Sequence, residues 1–456
     1  YGYRPAKKQT FYKEIKRLGV NETISIVNNK VDIDQVPFRP LSIQNYDSTH
    51  HEFYSDIFLD AIRIRGSEKG NIVYLSSGWD STAILGGLVH IFGPEKVRAV
   101  IGEHLYSKRY DSLNPYEIQR ASKVADYYGV SLDITPFDYR GNTPEVLEKL
   151  KPVIKDNCIS SPNMITHGLL ADYIAKNCSK DEAVFCGEIS DGAHNLGFSQ
   201  YVTIFHKTLE FREYSDKMAS YLYGPTFMDS FIDGEWHDDV IYNWLKDRLS
   251  NLIFDKQIDS STADKNIQLL SSFFLNNQRF PLVSSENVKQ LTKSGREKYS
   301  LTMENLYLQD AAQNMTSETV YSWYLHLYNS FHWQCGTVAT IPLSAQFFNF
   351  NVQLPFYDSR IQEFLHSMPE NWGRGLDLNP TKHPLKWMLQ NKIDYPTHLQ
   401  VGPHSYLYDT DHNFNHSFEI THHSAFTPVF KEALSDKSYK NILSDEIFDI
   451  KYLDSI

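Results

Sequence analysis

The stretch NIVYLSSGWDSTAIL, residues 71–85, constrains the fold of this 456-residue chain more than any other segment. A short apolar run stops at Ser76-Ser77-Gly78-Trp79-Asp80-Ser81, and a helix-like pattern follows at once. An apolar strand that feeds straight into a helix belongs to a parallel sheet covered on both faces. Small residues at Ser76, Ser77, Gly78 and Ser81 let backbone N–H groups approach an anion closely. The helix starting near Ser81 turns its positive end toward the same point. Asp80 puts a carboxylate inside that anion site, where it would repel phosphate unless a cation such as Mg²⁺ lay between them. A loop that suits both phosphate and a metal points to nucleotide chemistry. Its spacing is not that of a Walker A loop. Taken alone, the six residues also fit an ordinary strand-to-helix turn with Asp80 as a capping residue.

The neighbouring sequence repeats the strand–helix alternation. A helix is expected over 54–65, strands at 97–103, 131–137 and 183–187, and helices at 115–129, 144–154 and 165–177. Residues 1–48 read as a linker-like extended segment in which TISIVNNKVDI has the alternation of a hairpin. The expected α/β core therefore spans 49–205, with SSGWDS at the carboxyl end of a strand, where such sheets bind ligands. Residues 206–456 read as a largely helical region, with patterns at 238–254 and 320–331, that turns loop-rich further on. No internal repeat is visible.

Composition removes several function classes. A net charge of −12 argues against a general nucleic-acid binder. No apolar run approaches the roughly 18 residues of a membrane helix, so no membrane partner is expected. Cys158, Cys178, Cys186 and Cys335 show neither C-x-x-C spacing nor a dense framework, which fits a reducing cytoplasm. Histidines 404, 412, 416, 422 and 423 follow no standard metal spacing and read as ordinary loop residues.

SSGWDS resembles the SGGxDS pyrophosphate loop of the ATP pyrophosphatases, with Ser77 in place of the first glycine. Downstream, FCGEISDG (185–192) resembles the GEGSDE segment of the asparagine synthetase family, after a strand and in the same order. LPFYDSRIQEFLHSMP (354–369) resembles that family's VPFLD segment, and TKHPLKWML (381–389) its EKHILRE helix. The segments at 114–130, 160–173 and 10–26 resemble further stretches of the same family, with Glu117 at an acidic position. Glu117 fits equally well as the N-terminal carboxylate of an amphipathic helix.

The resemblance implies an ATP-pyrophosphatase domain, ATP and Mg²⁺ as cofactors, and an amide-forming ligase of the AMP- and pyrophosphate-producing kind. Carried over, Asp80 and Asp191 would share the Mg²⁺. Ser76, Ser77, Gly78, Asp80, Ser81 and Gly187 would hold the nucleotide pyrophosphate. Lys382 would meet the charge that builds as pyrophosphate leaves, a task that suits a point charge. Glu188 would orient or deprotonate the amine. Expected partners are a small-molecule carboxylate and ammonia, the latter from glutamine through a glutaminase domain or subunit; association as a homodimer is left open. The family's glutaminase domain would begin with a catalytic cysteine, and this chain begins with Tyr1, so the resemblance covers the synthetase portion.

Several positions depart from the family. Ile189 and Gly192 replace a glycine and an acid, His194-Asn195-Leu196-Gly197 replaces FGGY, and Asn351 and Gln353 replace an acid and an arginine. These changes argue against aspartate as the substrate. A β-lactam-synthetase-like cyclase is an alternative, disfavoured by Glu188 and Asn351, where that branch has a tyrosine and an acid. A catalytically degenerate nucleotide-binding relative is the other, disfavoured by joint retention of Asp80, Asp191, Glu188 and Lys382.

Overall fold

The computed structural model describes residues 14–16, 18, 22–35, 37–39, 47–105, 112–138, 143–156, 163–194, 289–303, 309–314, 323, 326, 337–368, 382–400, 428, 431–432, 435–441 and 443–455. The expected helices over 238–254 and 320–331 and the histidines at 404–423 lie outside these residues, apart from positions 323 and 326, which are helical. The chain divides into two compact units, each built from separated segments.

One unit comprises residues 1–42, 221–334 and 432–456. Strands β1 (Glu22–Val27) and β2 (Lys30–Gln35) form an antiparallel hairpin. Asn28 and Asn29 both sit at positive φ, 50° and 60°, in its two-residue turn. Asparagine tolerates this left-handed region, and such turns match the twist of the strands they join.

The other unit, residues 43–220 and 335–431, carries the sheet. Its strands are β3 (Asn71–Tyr74), β4 (Val97–Leu105), β5 (Ser131–Asp138), β6 (Ala183–Cys186) and β7 (Val352–Gln353). They pair in the order β5-β4-β3-β6-β7, every pair parallel. The chain starts at the centre, builds outward through β4 and β5, then returns to place β6 on the other side of β3. That reversal puts a topological switch point between β3 and β6, and ligands of open α/β sheets bind outside the carboxyl ends of the strands there.

The helices of this unit are α1 (Ser48–Arg63), α2 (Trp79–Phe92), α3 (Pro115–Tyr128), α4 (Thr143–Asp156), α5 (Asn163–Asn177) and α6 (Ser190–Ala193). Where the chain re-enters this unit at residue 335 come α7 (Thr337–Phe347), α8 (Ser359–Ser367) and α9 (His383–Asn391). Ile72, Tyr74, Val100 and Val184 project to one sheet face and pack with Ile174 of α5. The alternate residues Val73, Ala99, Ile101 and Phe185 are buried as well, so both faces are covered, as the apolar strands require. Among the described residues no helix is long and apolar enough to cross a membrane.

Strand β7 was not legible in the sequence: two residues carry no periodicity. It nevertheless brings the LPFYD segment to the sheet edge beside β6. There Asp358 caps α8, accepting from the Arg360 N–H at 3.1 Å, and its buried carboxylate pairs with Arg65 at 3.0 Å and Arg360 at 2.9 Å. Those bonds hold its carboxyl well below the usual carboxylate range.

Candidate functional site

The loop from Leu75 to Gly78 leaves the carboxyl end of β3 and is closed by its own serines. Ser81 Oγ accepts from the Ser76 N–H at 2.9 Å and lies 2.9 Å from Ser76 Oγ. The Gly78 N–H donates to Ser76 Oγ at 3.2 Å. These serines therefore shape the loop from within, and Ser77 beside them is buried. Gly78 is the N-cap of α2 and makes no side-chain cap bond; Asp80 is the second helical residue. The alternative reading of Asp80 as the capping residue is thus corrected: the N-cap is Gly78, and the Asp80 carboxylate is bonded to Ser190 and Lys382.

Two groups from distant parts of the chain meet that carboxylate on one oxygen. Ser190 Oγ donates to Asp80 Oδ1 at 2.7 Å, and Lys382 Nζ donates to the same atom at 2.5 Å. The Lys382 side chain is 5% exposed and that of Asp80 21%. An ammonium this deep is stable only beside a partner charge. Its backbone is equally specific: Lys382 lies at φ 56°, ψ 36°, immediately before α9. A non-glycine residue costs roughly 1 kcal/mol or more in that region, a strain commonly found at functional sites.

Gly187 follows β6 and faces the start of α2. A Cβ added there would stand 2.9 Å from the Ser81 nitrogen and 3.1 Å from the Asp80 carbonyl carbon. Only glycine lets the turn after β6 come this close to the start of α2. At Gly78, by contrast, a Cβ would be in ordinary contact, 3.4 Å from Ser76 Oγ. Glu188 comes next, partly buried; burial above all, with the Glu188 charge second, pushes the Cys186 thiol up to about 12. Ile189 is at φ 80° and fully buried. A β-branched residue is a strained occupant of a left-handed position that glycine fills without strain.

Asp191 belongs to α6, directly after the serine that touches Asp80. The structure thus brings its backbone next to the Asp80 contact, while its side chain lies outside what is described. The site residues read from the sequence, Ser76, Ser77, Gly78, Asp80, Ser81, Gly187, Glu188, Asp191 and Lys382, all lie in the sheet-bearing unit. Those before residue 192 gather around the carboxyl ends of β3 and β6, and Lys382 arrives from α9. Glu117 Oε2 accepts from Asn114 Nδ2 at 3.1 Å, at the start of α3. The same Asn114 side chain accepts from the His104 N–H and donates to the Gly102 carbonyl, tying α3 to β4.

Sequence reasoning missed three residues. Ser190 was read only as part of a motif, and Tyr54 and His194 not as site residues. Tyr54 OH lies 2.9 Å from His194 Nε2, and His194 Nδ1 lies 2.8 Å from the Ser190 carbonyl and 3.2 Å from its Oγ. The i, i+4 spacing of Ser190 and His194 was the available signal.

The residues present suit a magnesium-bound nucleotide. The loop ahead of α2 carries small residues, the N-cap Gly78 offers no capping side chain, the turn after β6 is glycine-tight against the helix start, and the Asp80 carboxylate and Lys382 ammonium pair beside it. Among the described residues no group of three or more His, Cys, Asp or Glu is placed to hold a metal by itself. Neither a family model nor a curated protein matches the chain.

Proposed function

We propose that the chain is an ATP-dependent amide-forming ligase with the architecture of an ATP-pyrophosphatase domain. The observation that carries this reading is the meeting of Asp80, Ser190 and Lys382 at the switch point between β3 and β6. Asp80, with Asp191, would hold Mg²⁺, which when bound neutralises phosphate charge. The Ser76–Ser81 loop and the start of α2 would seat the pyrophosphate moiety, and Gly187 would keep the α2 start accessible.

In the reaction proposed, a substrate carboxylate oxygen attacks the α-phosphorus of ATP. The bond from that phosphorus to the bridging oxygen breaks, giving an acyl-adenylate and pyrophosphate. Ammonia then attacks the acyl carbon, AMP departs with the bonding electrons, and an amide remains after loss of a proton. Lys382 would leave Asp80 to meet the charge growing on pyrophosphate, a motion of one flexible side chain. Glu188 would accept the ammonia proton. Asn351 and Gln353 leave the β7 edge without the charged pair of the aspartate-using family, so the substrate proposed is a carboxylic acid other than aspartate.

The test is pyrophosphate release by the full chain with MgATP across a panel of carboxylic acids, each with ammonia and with glutamine. Release that requires one acid and yields AMP supports the ligase. ATP binding without turnover on any acid would favour the degenerate nucleotide-binding relative instead.

A further inference from the structure

Asp80 is approached from behind by a chain of buried polar groups whose donors all point one way. The Ser190 carbonyl can only accept, so His194 Nδ1 carries the proton at 2.8 Å from it. A neutral imidazole protonated there accepts at Nε2, and Tyr54 OH is the donor 2.9 Å away. Nδ1–H also faces Ser190 Oγ at 3.2 Å, against the hydroxyl's lone pairs, and so turns the hydroxyl proton to Asp80 Oδ1 at 2.7 Å. Tyr54 and Ser190 are fully buried and His194 is 1% exposed.

Three polar side chains in an apolar setting cost stability unless their bonds are made, and a ring of carbon alone would fill the same space. His194 sits edge-on to Tyr54 and to Phe356, with centroids at 6.0 Å and 5.8 Å, positions a phenylalanine could occupy. What the nitrogens add is direction.

We infer that Tyr54 and His194 are positioning residues that act through Ser190 to fix the Asp80 carboxylate for the divalent cation of a bound nucleotide. This rests on the MgATP reading above. Partners behind a metal-holding carboxylate commonly change metal affinity by about 10–100-fold when removed.

The experiment measures ATP binding by calorimetry as a function of Mg²⁺ concentration, on the full chain and on three variants. Wild type is expected to bind ATP in a Mg²⁺-dependent manner. Ser190→Ala and His194→Phe are each expected to raise the half-saturating Mg²⁺ by about tenfold or more. The double variant Tyr54→Phe/His194→Phe removes the orphaned hydroxyl, so its thermal stability should recover toward wild type while its Mg²⁺ requirement stays raised. That separation distinguishes positioning from packing. Unchanged Mg²⁺ dependence in His194→Phe, with wild type binding normally, overturns this inference and leaves the MgATP reading standing. Absence of Mg²⁺-dependent ATP binding in wild type overturns both.

Discussion

Lys382 Nζ donates to Asp80 Oδ1 at 2.5 Å across 302 residues of sequence, and the ammonium of the pair is the deeper member. This asymmetry has consequences for both stability and chemistry. Asp80→Asn strands a buried ammonium and is expected to cost about 3 kcal/mol. Lys382→Met leaves a carboxylate that still has Ser190 as donor, and is expected to cost about 1–2 kcal/mol. Urea unfolding of the two variants checks the order; equal losses would contradict it. In turnover, Lys382→Met should lower pyrophosphate release by about 10²–10³.

The glycines of the two strand ends are not equivalent. Gly187→Ala pushes a methyl against the Ser81 nitrogen and should both destabilise the chain by about 1–3 kcal/mol and weaken ATP binding. Gly78→Ala meets only ordinary contact and should change thermal stability little. A Gly187→Ala chain as stable as wild type would show that the turn after β6 and the start of α2 lie further apart than described.

Asp358 belongs to a segment singled out for chemistry, yet its contacts are structural. Asp358→Asn keeps an acceptor for the start of α8 but loses the charge shared with Arg65 and Arg360, at a cost of about 3 kcal/mol. Nucleotide affinity of the folded variant should be unchanged. Calorimetry on a sample confirmed folded by circular dichroism decides this.

Acid should weaken the fold in two stages. Burial, above all, holds His51 and His167 down at about 4, from an ordinary value of 6.5. Below pH 6.5 the unfolded chain binds protons that the folded chain refuses, so stability falls as pH drops toward 4. For His51, which is 8% exposed, the loss between pH 6.5 and 5 is about 2 kcal/mol. Asp358 has the depressed carboxyl of the opposite case: its contribution is full above about pH 4 and is lost as pH falls further. His51→Phe keeps a ring against Trp387, stacked there at 4.7 Å, and should remove that histidine's share of the slope. Denaturant midpoints at pH 7 and pH 5 for both proteins measure it.

Much of the sheet-bearing unit could be read from the chain because apolar strands and amphipathic helices alternate there with little interruption. NIVYL, VRAVIGE, SLDITPF and AVFCG carry their own burial in their composition, and the structure places all four in one parallel sheet. What stayed hidden depends on tertiary placement. β7 is two residues long, and its strand character exists only because β6 lies beside it. Asp80 stands out from its loop, but that the N-cap position falls on Gly78 and not on Asp80 is seen only in the fold. Tyr54 stands 140 residues from His194, and only the fold joins them. The positive φ of Lys382 and Ile189 is likewise invisible to residue type, since neither residue prefers it.

The most direct measurement is calorimetric titration of ATP into the full chain, with Mg²⁺ and with chelator, for wild type and for Asp80→Asn. The account predicts one ATP per chain bound in the presence of Mg²⁺, weakened at least tenfold by chelator and by the substitution. Absence of binding, or binding of equal strength under all four conditions, would contradict it.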